Sequence, residues 1–156
     1  MDVRFINPVL ESIVNILQTM ASISPEPGRP CMKPNNQAMG VVTGIIDMKG
    51  AETEGSIAVT FSQALALEVT RKMLREEPVG IDATVKDLVG EITNMMAGGA
   101  KAKLHEKGFD FELAQPRVIA GKDHDVEHCI KAPTILLPFK TRVGGLFVEI
   151  CFPPRA

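Results

Sequence analysis

The chain has 156 residues, 45% of them hydrophobic, enough for one domain with a proper buried core. A formal net charge of -2 without a basic cluster, and the absence of Trp and Tyr as stacking platforms, argue against nucleic acid as a partner. No apolar run reaches the roughly 18 residues of a membrane span, and the N-terminus carries neither the basic nor the apolar part of a secretion signal, so the expected location is the cytoplasm.

Asn7 is the expected cap of a first helix, with Pro8 at its first helical position. That helix should run to about Met20 and turn Val9, Ile13, Ile16, Leu17 and Met20 to the core. Residues 22–36 hold Pro25, Pro27, Gly28, Pro30 and Pro34, the composition of a surface excursion, and are too few to separate two domains. Residues 1–156 therefore read as a single domain. A β-branched run at 41–48, turn residues at 49–55 and an alternating run at 56–61, with Ile57, Val59 and Phe61 on one face, predict a hairpin. Ser62 should cap a second helix to about Arg75, which residues 76–80, with Pro78 and Gly80, break.

The longest helical pattern follows. Thr84 with Asp87 three residues on has the form of a capping box, and Gly108 after Lys107 supplies a left-handed stop. Val85, Leu88, Val89, Ile92, Met96, Gly99 and Leu104 recur at helical spacing and mark its buried stripe. Asp87, Glu91 and Asn94 stand at i, i+4 and i+7, within an arc of about 60° on the opposite face. Charged residues mostly sit in solvent, so a solvated face accounts for this triplet unless something else sets it apart. Gly98 does: it falls on the same face one turn beyond Asn94, with Gly99 next to it, although a mid-helix glycine costs about 1 kcal/mol relative to alanine. It leaves the surface flat, so another backbone can approach.

Three more strands are expected, around Val118, at 126–139 and at 143–152, where Leu146, Val148, Ile150 and Phe152 alternate with Phe147, Glu149 and Cys151. Pro138 should sit at a strand end or a sheet edge. Asp123, His124, Asp125 and His128 have metal-ligand chemistry, but in a strand the two imidazoles would be about 13 Å apart, which favours a polar turn. His105 reads as a solvated residue near the helix end. Asp87 and Glu91 could be a hydrolytic carboxylate pair, yet both share one exposed environment, and acid/base work needs their pKa values pushed apart. Cys31, Cys129 and Cys151 are odd in number and far apart, which predicts reduced thiols. No phosphate loop, nucleophile elbow or zinc ligand set is present in the sequence.

Asp87-x3-Glu91-x2-Asn94, followed after 21 residues by Pro116, resembles the signature of the CheC/CheX/FliY family of chemotaxis phosphatases. The residues from Met95 to Gly98, the run Pro-Arg-Val-Ile-Ala-Gly-Lys-Asp at 116–123 and the opening Met-Asp-Val-Arg resemble CheX in particular, so the likeness covers nearly the whole chain. It implies an α/β fold of the α+β type, with helices on a mainly antiparallel sheet, and hydrolysis of the aspartyl phosphate of a CheY-like response regulator. The implied catalytic residues are Glu91, docking on the partner's lysine, and Asn94, positioning the attacking water; Asp87, Gly98 and Pro116 belong to the binding surface. The resemblance also implies a homodimer, and no cofactor of its own, the Mg²⁺ being held by the regulator. With only two exposed carboxylates converging, a hard cation would find too few oxygens on this chain. The alternative is a non-catalytic module that binds a response regulator or a flagellar switch component.

Residues 7–14 laid beneath 87–94 show a faint internal repeat in which Asn7 matches Asp87, Glu11 matches Glu91, and Val14 replaces Asn94. Asn15 is one position away, about 100° round the helix. Two-site relatives resemble CheC and one-site relatives CheX, which places this chain nearer CheX. A chance match between two amphipathic helices explains the repeat equally well.

Overall fold

The computed structural model describes residues 3–154; Met1 and Asp2, which begin the Met-Asp-Val-Arg stretch, lie outside them. The helices are α1 (Ile6–Ala21), α2 (Gln63–Leu74) and α3 (Ala83–Glu106). The strands are β1 (Glu26–Pro27), β2 (Cys31–Met32), β3 (Val42–Gly50), β4 (Glu54–Phe61), β5 (Phe111–Leu113), β6 (Arg117–Ala120), β7 (Thr134–Lys140) and β8 (Gly145–Cys151). All belong to one antiparallel sheet of order β1-β7-β8-β4-β3-β5, with β2 also on β7 and β6 also on β3. The expected α+β arrangement of helices on an antiparallel sheet is therefore what the chain adopts.

The predicted hairpin is the centre of the sheet. β3 and β4 pair from Val42↔Phe61 to Lys49↔Glu54, and Gly50 N–H closes the turn on Thr53 O at 2.8 Å. Ile46, Met48, Ile57, Val59 and Phe61 face the helices and are fully buried there with Ile13 and Leu17 of α1 and Ile92 and Met96 of α3. Residues of the other phase, Thr43, Ile45, Ser56, Ala58 and Thr60, are buried too, because the irregular chain around Val126 covers the far face. Alternation on β4 thus separates two cores and does not divide core from solvent.

Two close approaches seat α3. A Cβ at Gly44 would lie 1.8 Å from Thr93 Oγ1, so this glycine lets the helix rest directly on β3. A Cβ at Gly99 would lie 2.3 Å from Ser12 Oγ, which itself donates to Met96 O at 2.8 Å, so α1 and α3 touch backbone to side chain.

Several boundaries differ from the sequence expectations. The cap of α3 is Asp82, whose Oδ1 accepts from Val85 N–H at 3.0 Å, and Thr84 lies inside the helix, so the Thr84/Asp87 capping box does not form. A carboxylate two residues earlier meets the same orphan donors. Helix α1 begins at Ile6 after a 3-10 turn, with Phe5 at the cap position and no side-chain cap bond; Asn7 and Pro8 sit in its first turn, where a missing N–H is harmless. Met20 is 45% exposed, while Val9, Ile13, Ile16 and Leu17 are buried as expected. Ser62 does cap α2, accepting from Leu65 N–H, and Gly108 has the expected left-handed φ of 89°.

The strand expected over 126–139 is regular only from Thr134, because His124 and His128 are drawn inward by side-chain bonds and the chain between them follows no strand. Pro138 stands mid-strand in β7, in the gap between the pairings of β1 and β2, where its lack of an N–H breaks no ladder bond to either. The excursion at 22–36 contributes β1 and β2, and β5 was too short to leave a pattern in the sequence.

Candidate active site

Asp87, Glu91 and Asn94 are all exposed on α3, while Val85, Leu88, Val89, Ile92 and Met96 on its other side are buried. The helix is held by Thr93 against β3 and by Ser12 against its Met96–Gly99 turn, so the three outward groups are carried on a fixed backbone. Among the described residues none of the three makes an ion pair or a side-chain hydrogen bond. Their acceptors and donors remain available to a partner. The structure brings Gly98 to the same face: a Cβ there would meet no atom within 4 Å.

Pro116 is half-buried and leads into β6, which pairs with β3 from Val42↔Ala120 to Ile45↔Arg117. That strand runs beside α3, where Val118 Cγ2 would be 3.4 Å from a Cβ at Gly90. Pro116 thus stands just before the strand that borders the candidate site helix.

One feature of this face escaped the sequence reading. A groove of about 370 Å³ runs between the end of α2 and the start of α3, lined by Leu74, Glu76, Thr84, Asp87, Leu88 and Glu91. The signal for it is slight: Leu74 is apolar at a helix end directly before Arg75 and two glutamates, where an amphipathic pattern cannot tell core from surface.

The α1 counterpart is differently placed. Glu11 is ion-paired across the helices to Lys103 of α3, whose hydrogen bond and charge hold the Glu11 carboxyl below the usual carboxylate range. Val14 packs against the core, and Asn15 points instead to Thr19, its Oδ1 accepting from Thr19 Oγ1 at 3.3 Å. The repeat's glutamate is engaged within the chain and its amide is missing.

The remaining candidates disperse. His105 is exposed and bonded to Asp110 at the end of α3. His124 Nδ1 donates to Gly121 O at 2.8 Å, so in the neutral ring Nε2 accepts from the Thr43 hydroxyl at 2.6 Å, and Thr43 in turn accepts from Thr60 at 2.7 Å. His128 bonds Ser56 Oγ at 2.6 Å and Glu149 Oε1 at 3.0 Å, and Glu149 Oε2 is paired to Lys33 Nζ at 2.7 Å. The two imidazoles thus serve separate buried networks on the far face of the sheet. No group of three His, Cys, Asp or Glu among the described residues is placed to hold a metal ion. Cys31 and Cys129 are exposed and Cys151 is buried, each as a free thiol.

The family profile described as chemotaxis phosphatase CheX matches residues 42–140, from β3 through β7 with all of α3 between. The chain belongs to the CheX family. It is 28% identical over 124 residues to the CheY-P phosphatase CheX of Thermotoga maritima, covering 79% of each chain. It is similar in structure to a CheC-like superfamily protein from Shewanella sp. PV-4, with a TM-score of 0.92 at 47% identity over 99% of this chain and 100% of that one. CheX of Borrelia burgdorferi, solved as a complex with CheY, BeF3 and Mg²⁺, aligns with a TM-score of 0.81 at 26% identity over 96% of this chain and 98% of that one. The CheX resemblance carried by α3 and the 116–123 run is thereby established over most of the chain. No helix among the described residues is long and apolar enough to cross a membrane.

Proposed function

We propose that this protein hydrolyses the aspartyl phosphate of a CheY-like response regulator, with Asn94 and Glu91 as its catalytic residues. The observation that carries the assignment is the pair itself: in a CheX-family chain, a carboxylate and a carboxamide one turn apart, exposed, without a side-chain bond among the described residues and fixed on a buried-backed helix. An acyl phosphate is already activated, so the contribution required is a water held in line with phosphorus. Water oxygen bonds to phosphorus as the bond from phosphorus to the aspartyl oxygen breaks; the electron pair leaves with the carboxylate, and inorganic phosphate and free aspartate result. The Asn94 carboxamide offers both an acceptor and donors, which suits it to orienting that water. Glu91 pairs with the regulator's lysine and sets the docking geometry. Asp87 lies at the edge of the contact and Gly98 gives the partner's backbone room to approach. The regulator supplies the Mg²⁺, and this chain needs no cofactor of its own.

Assembly as a homodimer in the cytoplasm belongs to the same proposal. The outermost strands, β1 and β2 on one side and β5 and β6 on the other, are short and pair with no further strand among the described residues, and a sheet edge of this kind is a template for a second copy. Sedimentation that returned only monomer at tens of micromolar would remove the dimer. The activity itself is tested by mixing the protein with phosphorylated CheY-like regulators in Mg²⁺ and following phosphate release above the regulator's own rate.

A further inference from the structure

We infer that the groove between α2 and α3 is a second recognition pocket for the response regulator and takes a long basic side chain of it, distinct from the lysine that meets Glu91. This rests on the phosphatase reading and adds to it a determinant of which regulators are accepted. The groove has an apolar floor: Leu88 is 7% exposed and Leu74, at its wall, is 42% exposed. Its rim carries three carboxylates, Glu76, Asp87 and Glu91, with the Thr84 hydroxyl.

The carboxylates of this rim differ from those elsewhere on the helical face that are held within the chain. Glu68 and Glu77 are taken by Arg71, Glu11 by Lys103 and Asp110 by His105. Glu76, Asp87 and Glu91 have no ion-pair partner among the described residues, and Arg75 and Lys86, their neighbours in sequence, bridge none of them. With Glu91 engaged by the regulator's other lysine, the two remaining negative charges, Glu76 and Asp87, beside two leucines are complemented by an aliphatic stem ending in a cation, as in arginine or lysine, whose methylenes cover the leucines while the head reaches those carboxylates. Glu91 lines the groove at one end and is also the proposed docking residue, so the pocket is continuous with the site. A regulator seated on Asn94 and Glu91 would reach it without further movement of this chain.

The test measures binding of a beryllofluoride-activated CheY-like regulator to the wild type, to Glu76→Gln and to Leu74→Ala, and repeats it with each exposed lysine and arginine of the regulator changed to alanine. Both residues are exposed at a helix end, so the fold should survive either change. Each variant should weaken binding by about three- to tenfold, and the Glu76→Gln effect should shrink at high salt. One basic residue of the regulator should be coupled to both, so that once it is removed neither variant has a further effect. Binding equal to wild type for both variants, or losses that no regulator substitution abolishes, would overturn the pocket. Binding alone decides this, whereas a wild type that binds but releases no phosphate would overturn the phosphatase reading and leave the pocket standing.

Discussion

Ser12 of α1 presses against Gly99 of α3 so closely that a Cβ at Gly99 would lie 2.3 Å from the Ser12 oxygen, while the adjacent Gly98 has open space around the same position. Two glycines that look alike in sequence therefore do different things. Gly99→Ala must push the helices apart or break the Ser12 bond to Met96 O, and should lower stability by about 1–3 kcal/mol. Gly98→Ala meets nothing and should raise it by up to about 1 kcal/mol through helix propensity. Urea unfolding of the two variants separates them, and equal losses would refute this packing.

The hairpin, the second helix with its Ser62 cap and the outward triplet of α3 were legible because each rests on local periodicity or a cap. Asn7 and Thr84 have cap chemistry but do not cap, because caps are chosen by where the chain enters the fold: Phe5 and Asp82 occupy those positions. Met20 satisfied the helical stripe but lies where α1 runs out into solvent. The far-face layer was not legible, since Lys33 and Glu149 are 116 positions apart and a charged residue in a strand normally signals a solvent face. The outward placement of Asp87, Glu91 and Asn94 could be read from the sequence, but the groove beside them depends on how α2 and α3 meet, which no single helix pattern records.

The Lys33–Glu149 pair is buried on both sides, with side chains 3% and 1% exposed. Removing one partner leaves an uncompensated buried charge, so Lys33→Met should destabilise the protein by about 3–5 kcal/mol. Adding Glu149→Gln removes that charge while keeping an acceptor for His128, and should recover part of the loss. Denaturant midpoints for the single and double variants provide the check; a single variant within about 1 kcal/mol of wild type would contradict it.

The thiols should differ in reactivity. Partial desolvation of the sulfur, with the negative charge of Asp47 close by, pushes the Cys129 thiol above its ordinary pKa even though the residue keeps an exposed surface, and thiolate is the reactive form. At pH 7 Cys31 should alkylate first, Cys129 more slowly although it is exposed, and the buried Cys151 only on unfolding. The Cys129 rate should go on rising with pH beyond the range in which an ordinary thiol levels off. Mass-resolved labelling with iodoacetamide reads the order, and Cys129 reacting ahead of Cys31 would contradict it.

Glu11 is held by Lys103 and has Val14 where an amide would be needed. Glu11→Ala should leave phosphate release from a regulator unchanged. A loss comparable to that of Glu91→Ala would move the site to α1.

The central claim is that Asn94 acts in the chemical step and Glu91 in docking. Both side chains are exposed, so their replacement should change stability by less than about 0.5 kcal/mol. Glu91→Ala should weaken regulator binding by about 1.5–3 kcal/mol as well as slow turnover. The most direct measurement is single-turnover phosphate release from a phosphorylated CheY-like regulator with saturating Asn94→Ala protein, beside a binding titration of the same variant. The expected result is a rate lower by about 10²-fold or more with affinity little changed; a rate that survives the loss of Asn94 would contradict the account.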